Sequence, residues 1–128
     1  MARWLTPAVL LALLLVEPGT ASAGSFAGTK WRVVSVRGDK VPGSAGEYLE
    51  FTARRVKGYD GCNWFGARYR ATATALRFRD VVSTAIGCDG GPPSISGPVH
   101  RARGYRISGA RLELLGRRGG TLAVLKRR

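Results

Sequence analysis

The feature that most restricts what this chain can fold into is its hydrophobic period. From residue 30 to residue 126 apolar residues recur in short runs at a spacing of two, and glycine punctuates the runs. No stretch longer than a few residues keeps a helical spacing. Alternation buries one face of a strand, and several such strands joined by turns must close on each other, which predicts an antiparallel β-barrel or sandwich.

The runs can be placed one by one. Lys30 to Arg37 carries apolar residues on both faces and stops at Gly38-Asp39, a turn pair. After a loop from Val41 to Gly46, Tyr48 to Thr52 turns Leu49 and Phe51 inward and Glu50 and Thr52 outward. Arg55 to Tyr59 and Asn63 to Ala71 flank Asp60-Gly61-Cys62. The second of these continues through Thr72-Ala73-Thr74 into Ala75 to Arg79, a predicted hairpin. With Tyr69, Ala71, Leu76 and Phe78 facing inward, the alternation sends Arg68, Arg70, Arg77 and Arg79 to the outer face. That face is either a solvated strand surface or a candidate anion-binding patch.

Residues 87–97 are rich in Gly, Pro and Ser and read as loop. One short helix is predicted next, with Ser96 or Gly97 as cap, Pro98 at the first helical position, and Gly104 as the left-handed residue beyond the end. Two strands follow, Tyr105 to Ser108 and Arg111 to Leu115, joined at Gly109-Ala110 and anchored by Ile107, Leu112 and Leu114. Gly119-Gly120 turns into a closing strand, Thr121 to Lys126. The fold class expected is therefore mainly β, with one short helix as its minor α component.

The segment ahead of these strands has another character. Arg3, the apolar stretch from Ala8 to Val16, and the small residues Ala21-Ser22-Ala23 form the three parts of a signal peptide, with cleavage expected after Ala23. Glu17-Pro18-Gly19 ends the apolar run well short of the about 20 residues a membrane-spanning helix needs. With no cysteine near the cleavage site, a lipid anchor there is excluded as well. The expected mature protein is residues 24–128, one secreted domain of the extracellular space or cell envelope, without a transmembrane segment and expected to be a monomer.

Charge belongs to that domain. The formal net charge is +13, from 21 basic and 8 acidic residues, and removing residues 1–23 deletes Arg3 and Glu17 together and leaves it unchanged. Seventeen of the basic residues are arginines, scattered rather than gathered in a tail. Such a field attracts polyanions, and it also keeps an exported protein soluble; charge alone does not choose between the two. Export takes nucleic acid out of reach as a natural partner and leaves anionic envelope material or a protein.

Both cysteines, Cys62 and Cys88, lie in the mature part. In an oxidising compartment they are expected to pair, the alternative being two reduced, buried thiols. They and the single histidine, His100, supply no metal-ligand pattern, and no cofactor motif is present.

The order of pieces resembles a known family. Trp31 in a first strand, Tyr48-Leu49-Glu50-Phe51, Gly58 through Gly61-Cys62-Asn63-Trp64-Phe65-Gly66, Ser83 to Cys88, and the Tyr105-Arg106-Ile107 and Leu112-Glu113-Leu114 hairpin are similar to the META domain, the HslJ-like family. The resemblance implies a small, partly open antiparallel β-barrel of the bacterial envelope or the cell exterior, loosely linked to stress response, antibiotic tolerance or motility, and it brings no enzymatic activity with it. The family's helix of several turns after the second cysteine, often with a glutamate, is here short and rich in glycine and proline. Any family surface built on that helix is not expected in this chain. Gly61-Cys62-Asn63 carries over as a structural motif, with glycine permitting an unusual backbone angle and asparagine bonding nearby backbone.

Catalytic constellations are sparse. Asp60 and Asp89, each beside a cysteine, are the nearest thing to a carboxylate pair, and His100 lies in a basic stretch without a partner. Catalysis, as by a hydrolase, would need these three in one pocket. The functional expectation is a non-enzymatic binding or structural module. Its surface is either an interaction patch around Tyr59, Trp64 and Phe65 or the arginine face.

Overall fold

The computed structural model describes Arg3, Pro7, Ala8 and residues 26–128. Apart from those three residues, the expected signal segment with its cleavage site lies outside the described residues. Among the described residues nine strands follow one another: β1 (Lys30–Val36), β2 (Asp39–Lys40), β3 (Tyr48–Phe51), β4 (Arg55–Tyr59), β5 (Trp64–Ala71), β6 (Leu76–Ser83), β7 (Gly104–Ser108), β8 (Arg111–Leu115) and β9 (Thr121–Arg127). A short helix, α1 (Ser96–Arg101), lies between β6 and β7, and one 3-10 turn occupies Gly43–Ala45.

All pairings are antiparallel, in the order β6-β5-β4-β3-β1-β9-β8-β7, with β2 on β1. The two ends of this path meet at one point, where Ala75 bridges Gly104, Leu76 N–H donates to Arg103 O and Tyr105 N–H donates to Thr74 O. Beyond it β6 and β7 part. The sheet is thus a partly open antiparallel barrel with a short helix, and among the described residues the outer edge of the later half of β6 has no strand beside it.

Aromatic residues fill the interior. Phe26 lies 4.8 Å from Phe51 and 4.9 Å from Tyr105, ring centre to ring centre, and Phe51 meets Tyr69 edge-on at 4.9 Å. The buried tyrosines keep their hydroxyls satisfied: Tyr69 donates to Thr52 O and Tyr105 to Thr72 O, each at 2.6 Å. Leu49, Leu76, Leu112, Leu114 and Leu125 complete the core.

Two bulges set which side chains face in. In β1 the register on β9 shifts between Val33 and Ser35, so Trp31 and Val33 are buried and the inward series resumes at Val36. In β6, Asp80 and Val81 together oppose Ala67 of β5, between the pairs Arg68–Arg79 and Gly66–Val82. Asp80 takes the left-handed conformation, φ 53°, that Asp tolerates better than most residues. The extra residue turns Val81 onto the core and Val82 out to solvent, and carries the strand to Ser83, four residues past the predicted end at Arg79.

Three local expectations are corrected. The β1–β2 turn is Arg37-Gly38, both at positive φ between the paired Val36 and Asp39, because a two-residue hairpin of this hand needs positive φ at both positions. Helix α1 starts at Ser96 without a side-chain cap, so Pro98 is its third residue; it ends at Arg101 with Ala102 as the capping residue, and Gly104 opens β7 without a left-handed angle. Ile107 is exposed rather than an anchor: it sits toward the far end of edge strand β7, whose Tyr105 takes the buried position.

Candidate functional site

Two adjoining regions of the β3–β6 surface carry the residues singled out from sequence. The first is the corner between β4 and β5. Asp60 Oδ1 accepts from the backbone N–H groups of Cys62 (2.9 Å) and Asn63 (2.6 Å), and Gly61 adopts φ 91°, a tight reversal open to glycine. Cys62 and Cys88 form a disulfide, which resolves the choice between bridge and free thiols. The Asn63 carboxamide acts as a neighbouring peptide would: Oδ1 accepts from Ile86 N–H (2.7 Å) and Thr84 Oγ1 (2.8 Å), while Nδ2 donates to Ile86 O (3.1 Å). Residues 84–88, which leave the sheet after β6, are held by the Asn63 side chain, by the disulfide, and by the bond from Thr84 N–H to Trp64 O of β5.

Beneath this corner lies a residue that sequence reasoning missed. Glu47 is buried; its Oε1 accepts from Ile95 N–H at 2.9 Å, and its Oε2 has no partner among the described residues. Burial pushes its pKa up to about 7, the Ile95 bond pulls the other way, and nearby Asp60 adds to the rise. Alternation held the signal, since Glu47 shares parity with inward-facing Leu49 and Phe51.

The predicted carboxylate pair does not form a site. Asp60 is consumed by the corner, while Asp89 and His100 are exposed and neither lines the 270 Å³ cavity that Asp60, Asn63, Cys88 and Pro92 border. Among the described residues no cluster of three or more His, Cys, Asp or Glu is placed to hold a metal. Nor is any described helix long and apolar enough to cross a membrane.

Of the expected patch Tyr59, Trp64 and Phe65, only two members reach the surface. Trp64 is 55% exposed with its ring 4.7 Å from that of Tyr59, whereas Phe65 points inward and is buried. The alternation decides it: Phe65 shares the inner face of β5 with Ala67 and Tyr69. Its inward path is kept open by Gly58, where a Cβ would come within 2.6 Å of Tyr48 O and within 2.5 Å of the Phe65 ring.

The second region is the arginine face, and here the register adds to the sequence. Arg68 lies directly opposite Arg79, and Arg70 opposite Arg77, all four exposed. On the other side of Arg68 stands Arg55 of β4, giving an unbroken row Arg55–Arg68–Arg79 across three strands. None of these five guanidinium groups has an ion-pair partner among the described residues; Glu50 is taken by Lys57 and Glu113 by Arg106 and Arg111. Like charges placed opposite each other cost stability, so the arrangement is not explained by folding. Arg55 went unnoticed in sequence because its place in the row depends on which residue of β5 it faces.

Comparison with known proteins agrees with this architecture. No curated protein matches the sequence. An NMR structure of a protein from Burkholderia xenovorans is similar in fold, with a TM-score of 0.57 and 17% identity over 83% of this chain and 86% of that one. The family model described as META domain matches residues 24–128, through every strand of the barrel and both cysteines, and the chain belongs to the META domain family.

Proposed function

We propose that this chain is an exported, non-enzymatic binding module of the cell envelope that holds anionic polymers on its arginine face, in a role tied to envelope stress. The observation that supports the reading is the unpaired row Arg55–Arg68–Arg79 with the adjoining pair Arg70–Arg77. Paired strands set neighbouring arginines about 5 Å apart across the sheet, and alternate positions stand about 7 Å apart along a strand. Guanidinium forks at such spacing suit a chain of repeated carboxylate or phosphate groups, each able to take two parallel hydrogen bonds.

The test is retention of the oxidised protein on immobilised polyphosphate between 50 and 300 mM salt, values chosen to bracket roughly one Debye length of about 8 to 10 Å. Affinity is expected to fall steeply with salt, and Arg68→Gln with Arg79→Gln should flatten the slope by about two charges. Absence of binding at low salt, or a slope unaffected by the double substitution, would remove the reading. Exposed Trp64, Val82 and Ile86 favour a second one, a protein partner docked at the corner, whose capture from an envelope extract would persist in high salt.

A further inference from the structure

The arginine rows do not end at Arg55 and Arg68; followed up the strands, the same outer face changes chemistry. One step up, Lys57, Gly66 and Val82 are in register across β4, β5 and β6. One step further, Tyr48, Tyr59 and Trp64 are in register across β3, β4 and β5. An aromatic tier and a cationic tier thus flank a middle tier whose central residue has no side chain. The gap at Gly66 is real space: a Cβ there would meet only Val56 O, at 3.8 Å. Two surface depressions meet at it and share Lys57 and Gly66 as walls. The larger, 480 Å³, reaches Trp64, Val82 and Thr84, and the smaller, 220 Å³, reaches Arg55.

We infer that this continuous groove is a subsite for an acidic polysaccharide, with a sugar ring on the Trp64–Tyr59 tier and the carboxylates of following residues on the arginine row. The inference rests on the polyanion reading above and names its polymer. An exposed indole backed by a second ring offers a flat, electron-rich surface, to which the C–H face of a pyranose is complementary. A polyanion without rings has no use for it. From Trp64 to Arg68 is four residues of strand, about 13 Å, the reach of a short oligosaccharide laid across Gly66. Lys57 at the saddle is held by Glu50 at 3.7 Å in an exposed pair, which a bound carboxylate displaces at little cost. The positions of Trp64 and Val82 are both enforced, the first by Thr84 N–H to Trp64 O at 3.0 Å and the second by the Asp80 bulge.

The experiment compares polygalacturonate, a polymer of acidic sugar rings, with poly-L-glutamate at matched charge, using the oxidised protein and three variants. Trp64→Ala removes the platform, Gly66→Val fills the saddle where the backbone has room for it, and Arg68→Gln with Arg79→Gln removes the charge. The parent protein is expected to prefer polygalacturonate by about tenfold. Trp64→Ala and Gly66→Val should each abolish that preference and leave poly-L-glutamate binding as it was, while the arginine variant weakens both. Substitutions confined to this outer face should leave circular dichroism unchanged and the melting temperature no lower than the parent's, which separates a lost subsite from a lost fold. Equal binding of the two polymers, or equal losses for both in Trp64→Ala, overturns the sugar subsite and leaves the polyanion reading standing. Binding of neither overturns both.

Discussion

The carboxylate of Glu47 accepts a 2.9 Å hydrogen bond from the backbone N–H of Ile95, a residue 48 positions further along the chain, at the point where the segment after Cys88 enters helix α1. Among the described residues its Oε2 has no partner, in a site where a Cβ on Gly61 would touch its side chain at 3.6 Å. A buried acid of this kind is held more comfortably with a proton than without one.

Stability should therefore fall as pH rises through Glu47. Its folded pKa, about 7, is above the ordinary value of 4.5, so between these the folded protein keeps a proton that the unfolded chain gives up. This contribution is complete below pH 4.5, declines from there to pH 7, and is flat above. Its full size is up to about 3 kcal/mol, because each tenfold difference in proton affinity between the folded and unfolded states is worth about 1.4 kcal/mol. Glu47→Gln keeps an acceptor for Ile95 without the charge. Denaturant titrations should show it more stable than the parent at pH 8 and equal to it near pH 4.5; parallel profiles would place the pH dependence elsewhere.

Reduction of Cys62–Cys88 should weaken the fold without erasing it. The bridge closes a loop with a sequence separation of 26, for which the loop-entropy relation gives about 3 to 4 kcal/mol. Among the described residues the core has no sulfur in it, so strands should persist at low temperature while the unfolding midpoint drops. The double variant Cys62→Ser, Cys88→Ser should match the reduced protein in a urea titration, and hydrogen exchange should quicken first in residues 84–95.

Asn63→Ala removes one acceptor and one donor that serve both backbone groups of Ile86. The expected loss is about 1 to 3 kcal/mol, the range for hydrogen bonds whose partners are left unmet. Asn63→Asp tests the geometry: it retains the acceptor for Ile86 N–H but sets a carboxylate against Ile86 O, and it should be no more stable than the alanine variant at neutral pH.

Replacing the facing arginines should act in the opposite sense on stability. Arg68→Thr with Arg79→Thr relieves a direct like-charge pair and adds two residues suited to strands, for a gain of about 0.2 to 1 kcal/mol. The parent should gain stability with added salt more than the variant does. A variant that is stabilised yet has lost polyanion binding would mark the row as a feature kept for function.

Residues near one another in sequence announced most of the barrel. Leu49 and Phe51 in β3, Tyr69 with Leu76 in the β5–β6 hairpin, and Leu112 with Leu114 in β8 are buried where alternation puts them. The four arginines of that hairpin are outward for the same reason. Where the period broke, at the Ser35 and Asp80 bulges, the reading in steps of two lost the face, because an inserted residue is visible only against the partner strand.

The sequence by itself determined most of the antiparallel strands, the turns of the β5–β6, β7–β8 and β8–β9 hairpins, the family and the pairing partners available to each cysteine, since these depend on side-chain alternation and on motifs within a few residues. Only the tertiary structure decided that Glu47 is sealed beneath the disulfide corner, that Phe65 faces the core while Trp64 stands exposed on Tyr59, and that Arg55 completes a row with Arg68 and Arg79. Each of those facts is a register between strands or a contact across tens of residues. Register is selected by the summed burial of the whole inner face, so it is a property of the assembled sheet and of no single segment.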